Sequence, residues 1–284
     1  MAVTELHRVS CGQPIRGFCQ AREVGLTLAW DSQHLLHLIQ PNGTIRVSRL
    51  LSQPITDATM TDDGQAIFCV TASNTLSRLD GQLADVWSKT LPHPITAIAA
   101  APAGLAVAVA TSKTDLLFYD YAGEVRLKTQ TPVAVQHLAI AITEPLLVAA
   151  AEFGYVGGYD IRQDQWLWRD GPIARANDLT LSGDGSLAGL ASFTEGLRCY
   201  DRDGKFRAWA GVKACRAASM DLIGRVVLTS GLDREVYCVN DKGIPLADWR
   251  FDLPPAAICL SPLADRATVA VGDALIVFDL VTKG

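Results

Sequence analysis

At 284 residues the chain has room for one large all-β domain or two smaller ones. Its balance of 49% hydrophobic to 19% charged residues excludes a disordered or coiled-coil protein. A net charge of −5 without any Lys/Arg run lacks the electrostatic footprint of a nucleic-acid binder, so no nucleic-acid partner is expected.

The first residues, MAVTELHRVSCGQPI, carry no basic region followed by an apolar core of signal length. Apolar runs such as LAVAVA (105–110) and LLVAAA (146–151) fall far short of the ~18 residues that a membrane span needs. A cytoplasmic protein without membrane insertion is expected. The seven cysteines are odd in number and none forms a C-x-x-C pair. That pattern points to reduced, buried thiols rather than a disulfide framework or a zinc site.

Pro14-Ile15, Pro54-Ile55 and Pro94-Ile95 each open a unit that repeats every 40 residues. A period of this size is the first thing to establish, since it decides the fold. Within a unit, the first run is short and rich in small apolar residues, as in ITDATM, ITAIAA, NDLTLS and AAICLS. The second is the most apolar: AIFCV, LAVAVA, LLVAA, LAGLA, VVLTS and ATVAV. The third ends on a polar turn residue, at Gln40, Asp80, Asp120, Asp160, Asp201, Asn240 and Asp279. These positions are 40, 40, 40, 41, 39 and 39 residues apart. Asp, Asn and Gly suit tight reversals through side-chain hydrogen bonds and tolerance of positive φ. The fourth run is more polar and carries Trp87, Trp168, Trp209 and Trp249 in several units.

Four short antiparallel strands per ~40-residue unit define a β-propeller blade. The expected fold is therefore an all-β, seven-bladed propeller forming a single domain over 1–284. Its blades fall at about 15–54, 55–94, 95–134, 135–175, 176–215, 216–255 and 256–284. The last block supplies three strands only. Residues 1–14 align without a gap on 81–94, so the N-terminal strand is expected to complete the seventh blade and close the ring.

The segment NDLTLSGDGSLAGLASFTEGLRCYDRDG (177–204) resembles a WD-repeat blade in its S-x-D-G turn and its third strand ending in Asp. The Gly-His dipeptide of that family is absent from every block, and no third strand ends in Trp-Asp. D-x-x-G followed by Trp, as in DRDGKFRAW and NDKGIPLADW, also resembles quinoprotein-like propellers. A quinone-dependent dehydrogenase would add an adjacent cysteine pair, which the chain lacks.

His34-x-x-His37, read as one strand, would project to opposite faces, which disfavours a joint metal site. No G-x-S-x-G elbow, P-loop or strand-linked G-x-G-x-x-G occurs. Gly154, Gly157 and Gly158 read as close packing. The recurrent carboxylates Asp80, Asp120, Asp160, Asp201 and Asp279 hold one position in each unit, so their role is to cap turns. No catalytic, metal or cofactor residue is assigned, and no cofactor is expected.

Function is sought where the units differ. Loops joining second to third strands (30–34, 71–75, 111–115, 152–156, 192–196, 231–235 and 272–273) share a face with the inter-blade connections. The latter bring Arg16, Asp57, Arg175, Asn177, Asp178 and Arg216. Phe153, Tyr155 and Phe193 with Arg175, Arg216 and Arg234 form the candidate partner-binding set, because aromatics and Arg are enriched at interface hot spots. The alternative to their exposure is loop-against-loop packing. The expectation is a non-enzymatic protein–protein interaction scaffold or assembly subunit with a protein partner. The alternative is a propeller-type lyase or lactonase acting on a small molecule in the axial channel. For that role Asp57 and Asp178 stand near the axis, with His137 as the one possible histidine.

Overall fold

The computed structural model describes residues 2–101, 106–171, 175–209, 211–212, 214–231 and 233–281. Two residues singled out above, Leu105 of the LAVAVA run and Leu232 of the 231–235 loop, lie outside them. The described residues form 28 strands and no helix, arranged as seven four-stranded antiparallel sheets. Six sheets take four consecutive strands each, beginning with blade 1 over Ile15–Leu50. In the seventh, the N-terminal strand (Ala2–Ser10) pairs with the last strand (Ala274–Val281), with a bulge between Glu5 and His7. The protein is a seven-bladed β-propeller closed by its own N-terminus.

Apolar residues gather in seven clusters, each lying between two neighbouring blades. A second strand therefore serves two cores at once. In Val107–Thr111 of blade 3, Val107 and Val109 face blade 2 while Ala108 and Ala110 face blade 4. Burial on both faces is why these strands read as uniformly apolar rather than alternating. The recurrent tryptophans are part of this packing. Trp87, Trp168 and Trp249 of outer strands pack on Tyr119, Tyr200 and Phe278 of the next blade, at 6.3, 5.5 and 5.4 Å between ring centroids.

The same tryptophans explain the glycine of the D-x-x-G turns. Gly204 has φ +79°, and a Cβ there would stand 2.5 Å from Trp168 Cγ. The turn thus needs glycine both for its backbone and for the indole laid across it. The preceding polar residue caps the turn from below. Asp80 Oδ1 accepts from the Gln82 and Ala84 amides at 2.8 and 2.9 Å, and Asn240 Oδ1 from Lys242 and Ile244 at 3.1 and 2.9 Å. These backbone amides hold the Asp80 carboxyl below its ordinary range. Replacing Asn240 with Ala is expected to lower stability by about 1 kcal/mol, read as a reduced urea midpoint with unchanged m-value.

Outer strands carry cations on their solvent side, such as Arg49, Lys89 and Arg126, which pair with Asp85, Glu124 and Asp120. Charged edges deter strand addition by other chains. Blade 5 departs from the expected pattern. Its outer strand stops at Ala208, and Trp209 follows it into the core between blades 5 and 6. The seven cysteines are free thiols: five are buried, and Cys19 and Cys259 are half-buried.

Candidate functional site

Strand register places Gly17, Asp57, Ala97, His137, Asp178, Ala217 and Ala257 at one level on the seven innermost strands. Small residues dominate because these strands crowd around the axis. The three polar members reach sideways into the next blade. Asp57 Oδ2 accepts from the Ile98 amide at 3.3 Å, and Asp178 Oδ2 from the Ala218 amide at 3.1 Å. The ring of His137 lies against the backbone of Ala176. Burial pushes the Asp57 carboxyl up to about 7 and that of Asp178 up to about 6, against the pull of the backbone amides. Burial also lowers His137, leaving its imidazole neutral at pH 7. Each of the three is thereby a tie between blades.

The innermost strands enclose an axial channel of about 730 Å³. Its wall mixes alanines such as Ala99, Ala139 and Ala257 with larger apolar and hydroxyl side chains, and holds Cys19 and Cys259 on adjacent strands. Arg175, Asn177, Asp178, Phe193 and Arg216 gather at one mouth, on the side of the second-to-third-strand loops. Arg22 stands toward the other mouth, held by Asp62 through two contacts of 2.5 and 3.0 Å.

Three of the six candidate residues, Arg175, Phe193 and Arg216, therefore meet at the channel mouth. Arg175 pairs with Glu152 at 2.6 Å, whereas Arg216 makes no ion pair among the described residues. Phe153 on the neighbouring loop is 57% exposed, and Arg234 is exposed on the blade 6 loop. Tyr155 has to be removed from the set. It is 5% exposed and packs edge-on against Trp166 at 6.0 Å, inside the core between blades 3 and 4. Loop-to-core packing takes this aromatic because its side chain follows the third strand inward.

His34 and His37 also separate, but not as two members of one strand. His34 lies in the turn with φ +67°, and His37 is buried in the third strand of blade 1. The His37 Nδ1 lies 2.9 Å from Ser48 Oγ and its Nε2 3.5 Å from Asp31 Oδ2. Asp31 Oδ1 is taken by the Gln33 and Leu35 amides, so this chain of groups ties three strands together. Among the described residues, no three His, Cys, Asp or Glu side chains converge as a metal site.

The opposite face carries exposed apolar residues of its own. There Val24, Ile223 and Leu263 stand exposed on the first turns of blades 1, 6 and 7. Backbone bonds join neighbouring turns on this face, the Leu222 amide donating to the Pro262 carbonyl at 2.8 Å between blades 6 and 7 and the Glu23 amide to the Asp62 carbonyl at 3.0 Å between blades 1 and 2. Bulky apolar residues at turn positions, where Asp, Ser or Asn are usual, were the available signal.

No protein-family model matches the chain, and no curated protein matches it.

Proposed function

We propose that this propeller is a non-enzymatic, cytoplasmic scaffold or assembly subunit, WD-repeat-like in its blades, which binds a protein partner at the channel mouth between blades 4 and 6. The observation that carries the reading is the exposed Phe153 beside a mouth built from Phe193, Arg175 and Arg216, the last without an ion pair among the described residues. Aromatic and guanidinium groups on a rigid frame lose little conformational freedom on binding, which is what hot spots require. The side chains that could do acid–base work nearby, Asp57 and His137, are instead engaged with neighbouring blades.

A second reading rests on Asp178, whose carboxyl borders the channel and titrates at about 6. Such a group is poised for proton transfer to a small molecule held by Arg216. One comparison separates the two. The triple variant Phe153→Ala, Phe193→Ala, Arg216→Ala is expected to lose partner recovery at least tenfold in quantitative affinity purification from the native cell. Asp178→Asn is expected to leave recovery unchanged. Full recovery with a folded triple variant would count against this face as the interface.

A further inference from the structure

The closure seam between blades 7 and 1 departs from the aromatic stacking seen between blades 2 and 3 and between blades 4 and 5 in a way that follows from the sequence. Residues 1–14 align on 81–94, which sets His7 in the place of Trp87. The structure keeps that equivalence: a Cβ on Gly43 would meet His7 Cδ2 at 2.7 Å, as one on Gly123 would meet Trp87 at 3.0 Å. Across the seam, the position of Tyr119, Tyr200 and Phe278 is held by Ile39. Imidazole and isoleucine stand here where Trp87–Tyr119 and Trp168–Tyr200 stack in two other contacts, and beside them lies a cavity of about 320 Å³.

This cavity opens on the face away from the candidate partner surface. Val24 and Leu263 stand at its mouth, Leu263 with 79% of its surface exposed. Below them, Val9, Ile39, Leu275 and Val277 form apolar walls. Gln20 closes the inner end, its Nε2 donating to Thr27 and Thr268 hydroxyls at 3.0 and 2.9 Å across the seam. The volume and the apolar lining with a few polar groups are those of a small-molecule site.

The charged groups set the ligand's polarity. Arg22 is engaged by Asp62, Asp265 accepts the Ser261 hydroxyl at 2.6 Å, and Glu23 is exposed to water. Arg266 has no ion pair, and the His7 side chain no hydrogen bond, among the described residues. These two line the same cavity, and burial, together with the Arg266 charge, lowers the imidazole below its ordinary value. A guanidinium and a neutral ring donor side by side fit one carboxylate.

We propose that the seam cavity binds a small monocarboxylate with an apolar tail, the carboxylate between Arg266 and His7 and the tail along Val9, Ile39, Leu275 and Val277. The site is separate from the proposed partner face, and neither reading depends on the other.

The test is calorimetric titration of the full chain with octanoate, with octan-1-ol as the uncharged counterpart. Octanoate is expected to bind saturably at one site, at least tenfold tighter than octanol. Arg266→Gln is expected to weaken octanoate about tenfold or more, the loss of a charged hydrogen-bonded pair. His7→Trp places there the indole found in blades 2 and 4, and is expected to abolish binding while the thermal transition stays cooperative. In the unmodified chain, octanoate should shift the His7 ring resonances and raise the pH at which they titrate. No saturable binding, equal binding of octanol, or unchanged affinity in a folded Arg266→Gln variant would each overturn the proposal. Resonance changes at Phe193 and Arg216 in place of His7 would do the same.

Discussion

A chain lacking residues 1–10 is expected to lose its cooperative thermal transition and to elute as aggregate. The N-terminal strand forms eight residue pairs with Ala274–Val281 and buries Val9 in the seam core. It also supplies a bond that fastens the seam, from the Ser10 hydroxyl to the Asp273 carboxylate at 2.6 Å. At about 1 kcal/mol net per backbone hydrogen bond, before counting burial, the ladder alone rivals the 5–15 kcal/mol that holds an ordinary domain together. What remains would expose the long, apolar edge of Ala274–Val281, and such edges recruit other strands. A synthetic peptide of residues 1–14 added in trans is expected to bind the shortened chain and to recover part of the transition. Circular dichroism melts and size-exclusion elution measure both outcomes. A shortened chain that melts as the parent does would mean that closure does not hold the ring.

The second large effect is on pH dependence. Asp57 and Asp178 hold their protons in the folded state to about pH 7 and 6, well above the ordinary carboxyl value of 3.8. Between pH 4 and 7 the folded chain therefore binds more protons at these sites than the unfolded chain does. Their contribution favours the fold at low pH and is lost as pH rises through 6 and 7. Both carboxyls are half-buried rather than sealed, so the penalty at pH 8 is about 2 kcal/mol for each. The double variant Asp57→Asn, Asp178→Asn keeps an oxygen for the Ile98 and Ala218 amides and removes the charge. It is expected to melt several degrees above the parent at pH 8, with the difference shrinking as pH falls and vanishing only below about pH 4. His7 and His137 have lowered values and act with the opposite sign below their ordinary 6.5, in parent and variant alike. Their effect cancels in the difference. An equal gain at pH 8 and pH 4 would show that folding does not raise the two carboxyls above their ordinary value.

The sequence carried most of the fold because a closed ring repeats its constraints. Each turn needs the same cap, so Asp80, Asp120 and Asn240 recur in register, and each stack needs the same indole or ring. The split seventh blade was legible for the same reason, as residues 1–14 repeat a motif whose partner strands sit at the other end of the chain. The site was less legible. Tyr155 and Phe153 are two residues apart in one loop, yet one ring is in the core and the other in water. Which way a side chain turns is set by the third strand and by Trp166 of the same blade, and composition does not encode that. The seam cavity lies beside His7, which stands where two other copies carry Trp87 and Trp168 and which faces Ile39.

The packing of the second strands has one more consequence. Slipping a strand such as Val107–Thr111 by one residue would not bring a polar side chain into a core or an apolar one into water. It would exchange valines with alanines, crowding one neighbour and leaving a gap against the other. At these positions register is guarded by side-chain volume, not by solubility. A miscount in one blade would thus be felt as opposite misfits on its two sides.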